Sequence, residues 1–476
     1  MKNNAIKTIV HEHATTNGVK TLLGNPRKAI IRLSLPMIVA MSVQTLYNIV
    51  DALWVSGLGP DALAAVGFFF PFFFMVMAFA TGLGVGSSSA ISRMIGAHDK
   101  KGADSVAAHS CVIMALLSAV ITFPFIFFID TIFERMGAGA IGHVASSYSR
   151  IMFAGTIIIF FSNVSSALLR GEGDVKRAMY AMMLGAGLNI VLDPIFIYTL
   201  HLGVPGAAWA TISSLFISAL LLFYWTCIKK DTYISITFRH FRLKSHIVMD
   251  ILRVGIPSAI MQLAMAFSVL FLNMIVVNVG GTDGIAVYTT GWRVAMVAVL
   301  PLLGMATAVI SVTGAAYGGR AYKKLKDAYY YALKIGVIIE FCIAAATYVF
   351  APQITALFTQ TQESTRIAHD LIIFCRVMFV FYPATAFGIS SSALFQGIGK
   401  GTNALTLTII RTIVLTTPIA YLLAVIFDMG LQGVWWGIVT GNTLGALVAY
   451  VWARITIHRL VQPAEQRAVR ASDSSA

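Results

Sequence analysis

The chain has 476 residues, of which 58% are hydrophobic and only 11% charged, and its mean hydropathy is +0.81. Soluble domains carry roughly 25% charged residues, so this composition excludes one and makes a bilayer the natural solvent. The formal charge of +14 raises nucleic acid as a partner, but no aromatic-studded basic domain accompanies it, and that partner is excluded.

The first 27 residues are polar and mixed; they lack the short apolar core and cleavage site of a removable leader and read as a cytoplasmic segment, 1–27. Apolar runs long enough to span follow at 30–56, 63–95, 106–129, 141–169, 178–200 and 207–228, forming a first lobe over 28–228. A basic linker at 229–246 separates them from runs at 251–279, 284–317, 329–350, 367–395, 404–426 and 433–457, a second lobe over 247–457. Residues 458–476 read as a disordered cytoplasmic tail. Runs this continuous are helices, because the bilayer excludes open strands and the alternation of a membrane barrel is missing. The predicted fold is an all-α polytopic membrane protein with about twelve transmembrane helices in two six-helix lobes.

The basic residues segregate by loop. Of the 34 Lys and Arg, 28 fall at the termini or on the side of every second connection, whereas the intervening loops carry only Arg135 and Arg366. This positive-inside pattern places both termini in the cytoplasm of a multi-pass protein of the cell membrane. The four cysteines, Cys111, Cys227, Cys342 and Cys375, lie in apolar stretches without CxxC spacing, so neither a disulfide framework nor a zinc site is expected.

The halves repeat each other. "LSLP" ending at Pro36 answers "VGIP" ending at Pro257, and "GAHDKKGAD" from Gly96 answers "GGRAYKKLKD" from Gly318. "LLRGEGD", "LDPIFIY" and "GVPGAAW" are answered in the same order by "LFQGIGK", "LTTPIAY" and "GLQGVWW", at offsets of about 221 to 227 residues. Six spans per half give both repeats the same orientation, related by an axis along the membrane normal, with a cleft expected between two lobes.

Ionisable groups deep in a membrane are costly, and each is a functional candidate until paired. Asp51, Asp193 and Glu340 are the acids so placed. Pro194 has no N–H to offer the Ile190 carbonyl, which weakens the helix beside Asp193. Asn189 projects from the same face one turn earlier. Thr211 of the sixth span could add a hydroxyl, and Tyr148 and Asn163 of the fourth could line the same cavity. Such oxygen-only donors suit a proton or a hard monovalent cation; sodium, if it is the coupling ion, would be held by Asp51, Asn189, Asp193 and Thr211. Two carboxylates brought together resist both being charged, so Asp51 and Asp193 could take up a proton on one side and release it on the other. Asn and Thr also join membrane helices structurally. Glu340 and the arginines Arg150, Arg293, Arg376 and Arg411 are assigned no site, and no catalytic constellation is present.

The run "LPMIVAMSVQTLYNIVDALWVSGLG", with "LLRGEGD" and "LNIVLDP", resembles the multidrug and toxic compound extrusion family over nearly the whole chain, from about Arg27 to Arg459. The resemblance implies a monomeric alternating-access antiporter, not an enzyme, that exports small organic cations or other toxic compounds in exchange for protons or sodium ions and needs no cofactor. It is nearest the DinF-like branch, whose coupling acids map onto Asp51 and Asp193, with Asn189, Thr211, Tyr148 and Asn163 beside them and Pro36 as the helix-bending proline. The NorM-like branch has acids in the seventh and tenth spans, where this chain has Gln262 and Arg376. A lipid-linked precursor flippase is the rival transporter reading; such proteins often add spans and a strongly basic central cavity. An intramembrane enzyme is the rival of another class.

Overall fold

Apolar segments with no water to satisfy their backbones fold as helices. The computed structural model describes residues 16–229, 231–238, 241–360 and 365–473, and no strand occurs among the described residues. Among the described residues nine helices are long and apolar enough to cross a membrane; two further pairs, Gly139–Ala154 with Thr156–Gly171 and Ala368–Val377 with Phe381–Gly397, are bent by 45° and 52°. One of the nine, Ser245–Gly318, is two spans merged at Gly281, whose φ of 57° and ψ of −147° are not helical. Counting that helix twice and each bent pair once gives twelve crossings, six in each half. They are numbered here in chain order, the first being Pro26–Ser56.

Contacts group the chain into two units, one containing residues 35–259 and the segment up to Gly24, the other containing Asn25–Ser34 and residues 260–476. Their limits differ from 28–228 and 247–457. The first unit takes in the linker and the opening turns of the seventh span, and the second takes in the start of the first span.

The repeat is written in the backbone. Left-handed residues fall in pairs at the repeat offset: Gly59 and Gly281, 222 apart; His98 and Arg320, 222 apart; Gly173 and Gly399, 226 apart; His201 and Asp428, and Gly203 and Gly430, each 227 apart. Three of these ten are not glycine or acid, an uncommon conformation for such side chains, so the turn geometry rather than residue type is what the halves share. At four of the connections the turn is closed by the same long bond, from Asp99 N–H to the Met94 carbonyl (2.9 Å), Ala321 to Ala316 (2.8 Å), Asp174 to Leu169 (2.9 Å) and Lys400 to Phe395 (2.8 Å). This pattern satisfies carbonyls that a helix end leaves open.

Proline sets a second common feature. The fifth span widens into a π-helix over Ile195–Thr199, directly after Pro194. The eleventh widens over Ile410–Thr416 and Leu422–Ile426, on either side of Pro418. A proline that cannot donate to the preceding turn disturbs the helical ladder, and these wider turns are the local accommodation.

Small residues then let helices close up. Gly433, Gly437, Gly441 and Gly445 recur every four residues along the twelfth span, one face of a helix. A Cβ on Gly437 would stand 2.3 Å from Ala420 Cα, and one on Gly441 would stand 2.4 Å from Thr416 Cα. In the first unit, a Cβ on Gly86 would meet the Ile251 carbonyl oxygen at 2.3 Å. The glycine run at 82–86 is therefore helix packing. The phenylalanine-rich stretch 68–77 divides by face: Phe69 is buried and packs edge-on against Tyr148 and Phe153, with centroids 5.5 and 5.4 Å away, whereas Phe70 and Phe74 are exposed.

Two segments depart from the sequence reading. Within 1–27 a short helix, Asn17–Leu23, is capped by the Thr16 side chain and buries Val19 and Leu22; Gly18 lets it rest on the turn at Gly173, since a Cβ there would be 2.8 Å from the Gly173 carbonyl carbon. At the other end the last helix runs Gly430–Asp473, beyond 457. Its final turns are rich in Ala, Gln and Arg, residues that sustain a helix without an apolar face.

Candidate functional site

The polar cluster lies inside the first unit, where the first, fifth and sixth spans meet. A clamp fixes the register of the first two: the Tyr198 hydroxyl donates to the Trp54 carbonyl at 2.6 Å, and the two rings meet edge-on with centroids 6.2 Å apart. Asp51 precedes Trp54 by one turn and Asp193 precedes Tyr198 by about a turn and a half, so the clamp brings the two acids to one level. Their carboxyl groups stand within hydrogen-bonding reach of each other. Asp193 is fully buried and Asn189 nearly so. Asp51 and Thr211 are half-buried.

Asn189 knits the cluster together. Oriented to satisfy all its neighbours, its Nδ2 donates to Asp193 Oδ2 at 2.8 Å, while its Oδ1 accepts from the Thr211 backbone N–H and hydroxyl, both at 3.2 Å. The i, i+4 spacing of Asn189 and Asp193 makes the first bond possible, and the weakened helix at Pro194 follows immediately. Two carboxyl groups this close cannot both carry charge cheaply, so a proton or a small cation between them is the natural complement.

Sequence reasoning missed Tyr47. Its hydroxyl lies beside the Thr211 side chain and within electrostatic reach of both Asp51 and Asp193. The available signal was its position one turn before Asp51, on the same helical face. Tyr148 is buried and lies within electrostatic reach of Asp51, Asp193 and Tyr47. Asn163 turns back on its own helix, its Nδ2 donating to the Ile159 carbonyl at 3.0 Å. Pro36 lies inside the continuous helix Pro26–Ser56, about four turns from Asp51, and takes no part in the cluster.

The intramembrane charges left unassigned separate clearly. Arg150 pairs with Asp130, and Arg376 lies over the Tyr348 ring, 5.7 Å from its centroid. Glu340 is fully buried in the second unit, and among the described residues neither of its carboxyl oxygens is bonded.

At the loop "GEGD", Glu172 is fully buried and its Oε2 accepts the Ile234 N–H at 2.9 Å. Nearby, the Ser235 N–H donates to Asp104 Oδ1 at 2.7 Å, and Arg177 pairs with Asp231 at 2.7 Å. The described part of the linker is thus tied to the first unit. Burial pushes the Glu172 carboxyl up to about 8, against the opposing pull of the Ile234 amide and Arg177.

Comparison with known proteins places this architecture. The chain is 27% identical over 442 residues to the "Probable multidrug resistance protein YoeA" of Bacillus subtilis, covering 90% of this chain and 94% of that one. It is likewise 27% identical over 442 residues to the "Multidrug export protein MepA" of Staphylococcus aureus, covering 91% and 94%. Crystal structures of MATE in the straight and in the bent conformation are each 51% identical and cover 94% of this chain, with TM-scores of 0.91 and 0.89; the match covers 99% and 98% of those chains. The sequence model of the family described as MatE matches twice, over residues 36–195 and 257–422. Those two matches begin at Pro36 and Pro257, the paired landmarks of the repeat, and together span more than half of the chain, which therefore belongs to the MatE family of membrane transporters.

Proposed function

We propose that the protein is a secondary active antiporter of the cell membrane that exports small organic cations and related toxic compounds in exchange for protons or sodium ions. The observation that carries the reading is the meeting of Asp51 and Asp193 with Asn189 bridging to Thr211. Two neighbouring acids within a membrane helix bundle form a site whose charge changes when one small cation enters or leaves. Asp51 and Asp193 carry the ion, Asn189 and Thr211 supply neutral oxygens, and Tyr47 and Tyr148 close the cluster.

Ion entry changes charge and hydrogen bonding in the N-terminal unit. It shifts the inward–outward equilibrium by the difference in ion affinity between the two states. Pro36 leaves the Arg32 carbonyl without its helical partner and provides a place for the first span to bend. The export names of the YoeA and MepA relatives support efflux, and the loop charge pattern supports cytoplasmic termini.

The test is reconstitution into proteoliposomes, with proton and sodium gradients imposed separately and a fluorescent organic cation as cargo. Efflux driven by one gradient and abolished by its collapse is the expected result. Equal flux with no gradient refutes coupled antiport.

A further inference from the structure

The ninth and twelfth spans leave a groove between them in the second unit, at the end where the basic segment 318–326 leads into the ninth. That span runs Tyr322–Val349, and the twelfth reaches the same end through Tyr450 and His458. The groove encloses about 810 Å³, with Lys326 and Tyr330 on one wall and Tyr450, Arg454 and His458 on the other. Each set recurs every four residues, so each forms a stripe along one helical face. The two helices run in opposite directions, which sets the tyrosines at the deep end and the bases one to two turns further out. Tyr330 is accordingly within electrostatic reach of both Tyr450 and Arg454. Val451 and Ile455 also line the groove and are exposed.

Among the described residues no carboxylate pairs with Lys326, Arg454 or His458. The first unit treats the corresponding place differently. Lys326 answers Asp104 at the offset of 222 that relates His98 to Arg320, and Arg454 answers Cys227 at the 227 that relates Gly203 to Gly430. There Asp104 pairs with Lys100 and accepts the Ser235 N–H at 2.7 Å. Lys100 also lies over the Tyr233 ring, 5.3 Å from its centroid. The linker itself therefore covers the opening turns of the third span. In the second unit the chain does not turn back, because the last helix continues from Gly430 to Asp473, and the acid at the mouth is replaced by bases.

A membrane supplies an occupant of the matching charge. A phosphodiester suits the Arg454 guanidinium, whose fork can hold two phosphate oxygens at once, with the Lys326 ammonium as a second cation. Tyrosines favour the level of the lipid headgroups, and basic residues beside them attract anionic lipid. A choline or ethanolamine headgroup would bring its own ammonium up against these fixed cations. We infer that the groove binds an anionic glycerophospholipid, with its phosphate held by Lys326, Arg454 and His458 and an acyl chain along Val451 and Ile455. The site is independent of the ion that drives transport.

The experiment titrates the detergent-purified full chain with phosphatidylglycerol or with phosphatidylcholine of identical acyl chains, and reads bound lipid by native mass spectrometry. Wild-type protein is expected to take one phosphatidylglycerol at least tenfold more tightly than phosphatidylcholine. Lys326→Gln combined with Arg454→Gln is expected to bring that preference within twofold. Lys101→Gln, which removes an exposed base of the first unit, is expected to leave it intact. Lys326 and Arg454 are themselves exposed; should the double variant not purify, either single variant decides the matter by a loss of at least threefold. Millimolar inorganic phosphate is expected not to displace the lipid, since it offers no acyl chain. Absence of a preference in the wild type, its persistence in the groove variants, equal loss in Lys101→Gln, or displacement by inorganic phosphate overturns the proposal.

Discussion

Glu172→Gln tests whether a buried carboxyl gives the linker between the repeats a pH-dependent hold. The Glu172 carboxyl is raised from 4.5 to about 8, chiefly by burial. A group raised in the closed state and ordinary in the open state binds more protons when closed. Its contribution to closure is therefore complete below about 4.5, declines as pH rises, and is gone above about 8. Across that window the opening equilibrium gains at most about tenfold per pH unit, an upper bound on the order of 5 kcal/mol in all. The reporter is the Ile234 N–H, held by Glu172 Oε2 at 2.9 Å. Hydrogen exchange of the 231–238 segment, divided by the intrinsic chemical rate at each pH, is expected to accelerate between pH 5 and 8 and then level off. Glutamine keeps the acceptor and removes the proton, so Glu172→Gln is expected to flatten the profile. Asp174, which burial also raises, is retained in the variant, so the difference between the two proteins isolates Glu172. An identical slope in both proteins, or a flat wild-type profile, refutes the reasoning.

Asp51→Asn is expected to abolish gradient-driven efflux, whereas Glu340→Gln retains most of it; a dead Glu340 variant beside an active Asp51 variant would move the ion path to the second half. Asp193→Asn is expected to weaken ion coupling more than Asn189→Ala, because loss of a titratable group removes the site while loss of an amide perturbs it, and equal small effects in vesicle transport would reassign both to packing. Pro36→Ala restores an N–H to the Arg32 carbonyl and is expected to slow turnover without loss of insertion; unchanged turnover in a well-folded variant would remove the bending role. Gly437→Val places a side chain where even a Cβ is 2.3 Å from Ala420 Cα, so the melting temperature is expected to fall by an amount matching about 1–3 kcal/mol or more. Gly187→Ala, with nothing within 4 Å of the added carbon, is the neutral control for that scan.

The sequence alone was enough to determine the helical class, the span count, the repeat and the acids that stand inside the membrane. These depend on local quantities: the length of an apolar run, the charge of a loop, a proline or glycine at a fixed offset. Asp51 and Asp193 were visible because a carboxylate in hydrocarbon is conspicuous wherever it points. Tyr47, the Tyr198–Trp54 clamp, the buried Glu172 and the seat of Arg411 between two glycines were decided by tertiary structure. A soluble helix shows its inner face through polar periodicity, but a membrane helix is apolar toward lipid and toward its neighbours alike, so its sequence does not say which side is inside. Which faces meet is settled by close packing, such as the glycine row at 433, 437, 441 and 445 against the eleventh span. Only that packing could bring Asp51 to Asp193 across 142 residues of chain while setting Arg411 between Gly388 and Gly445.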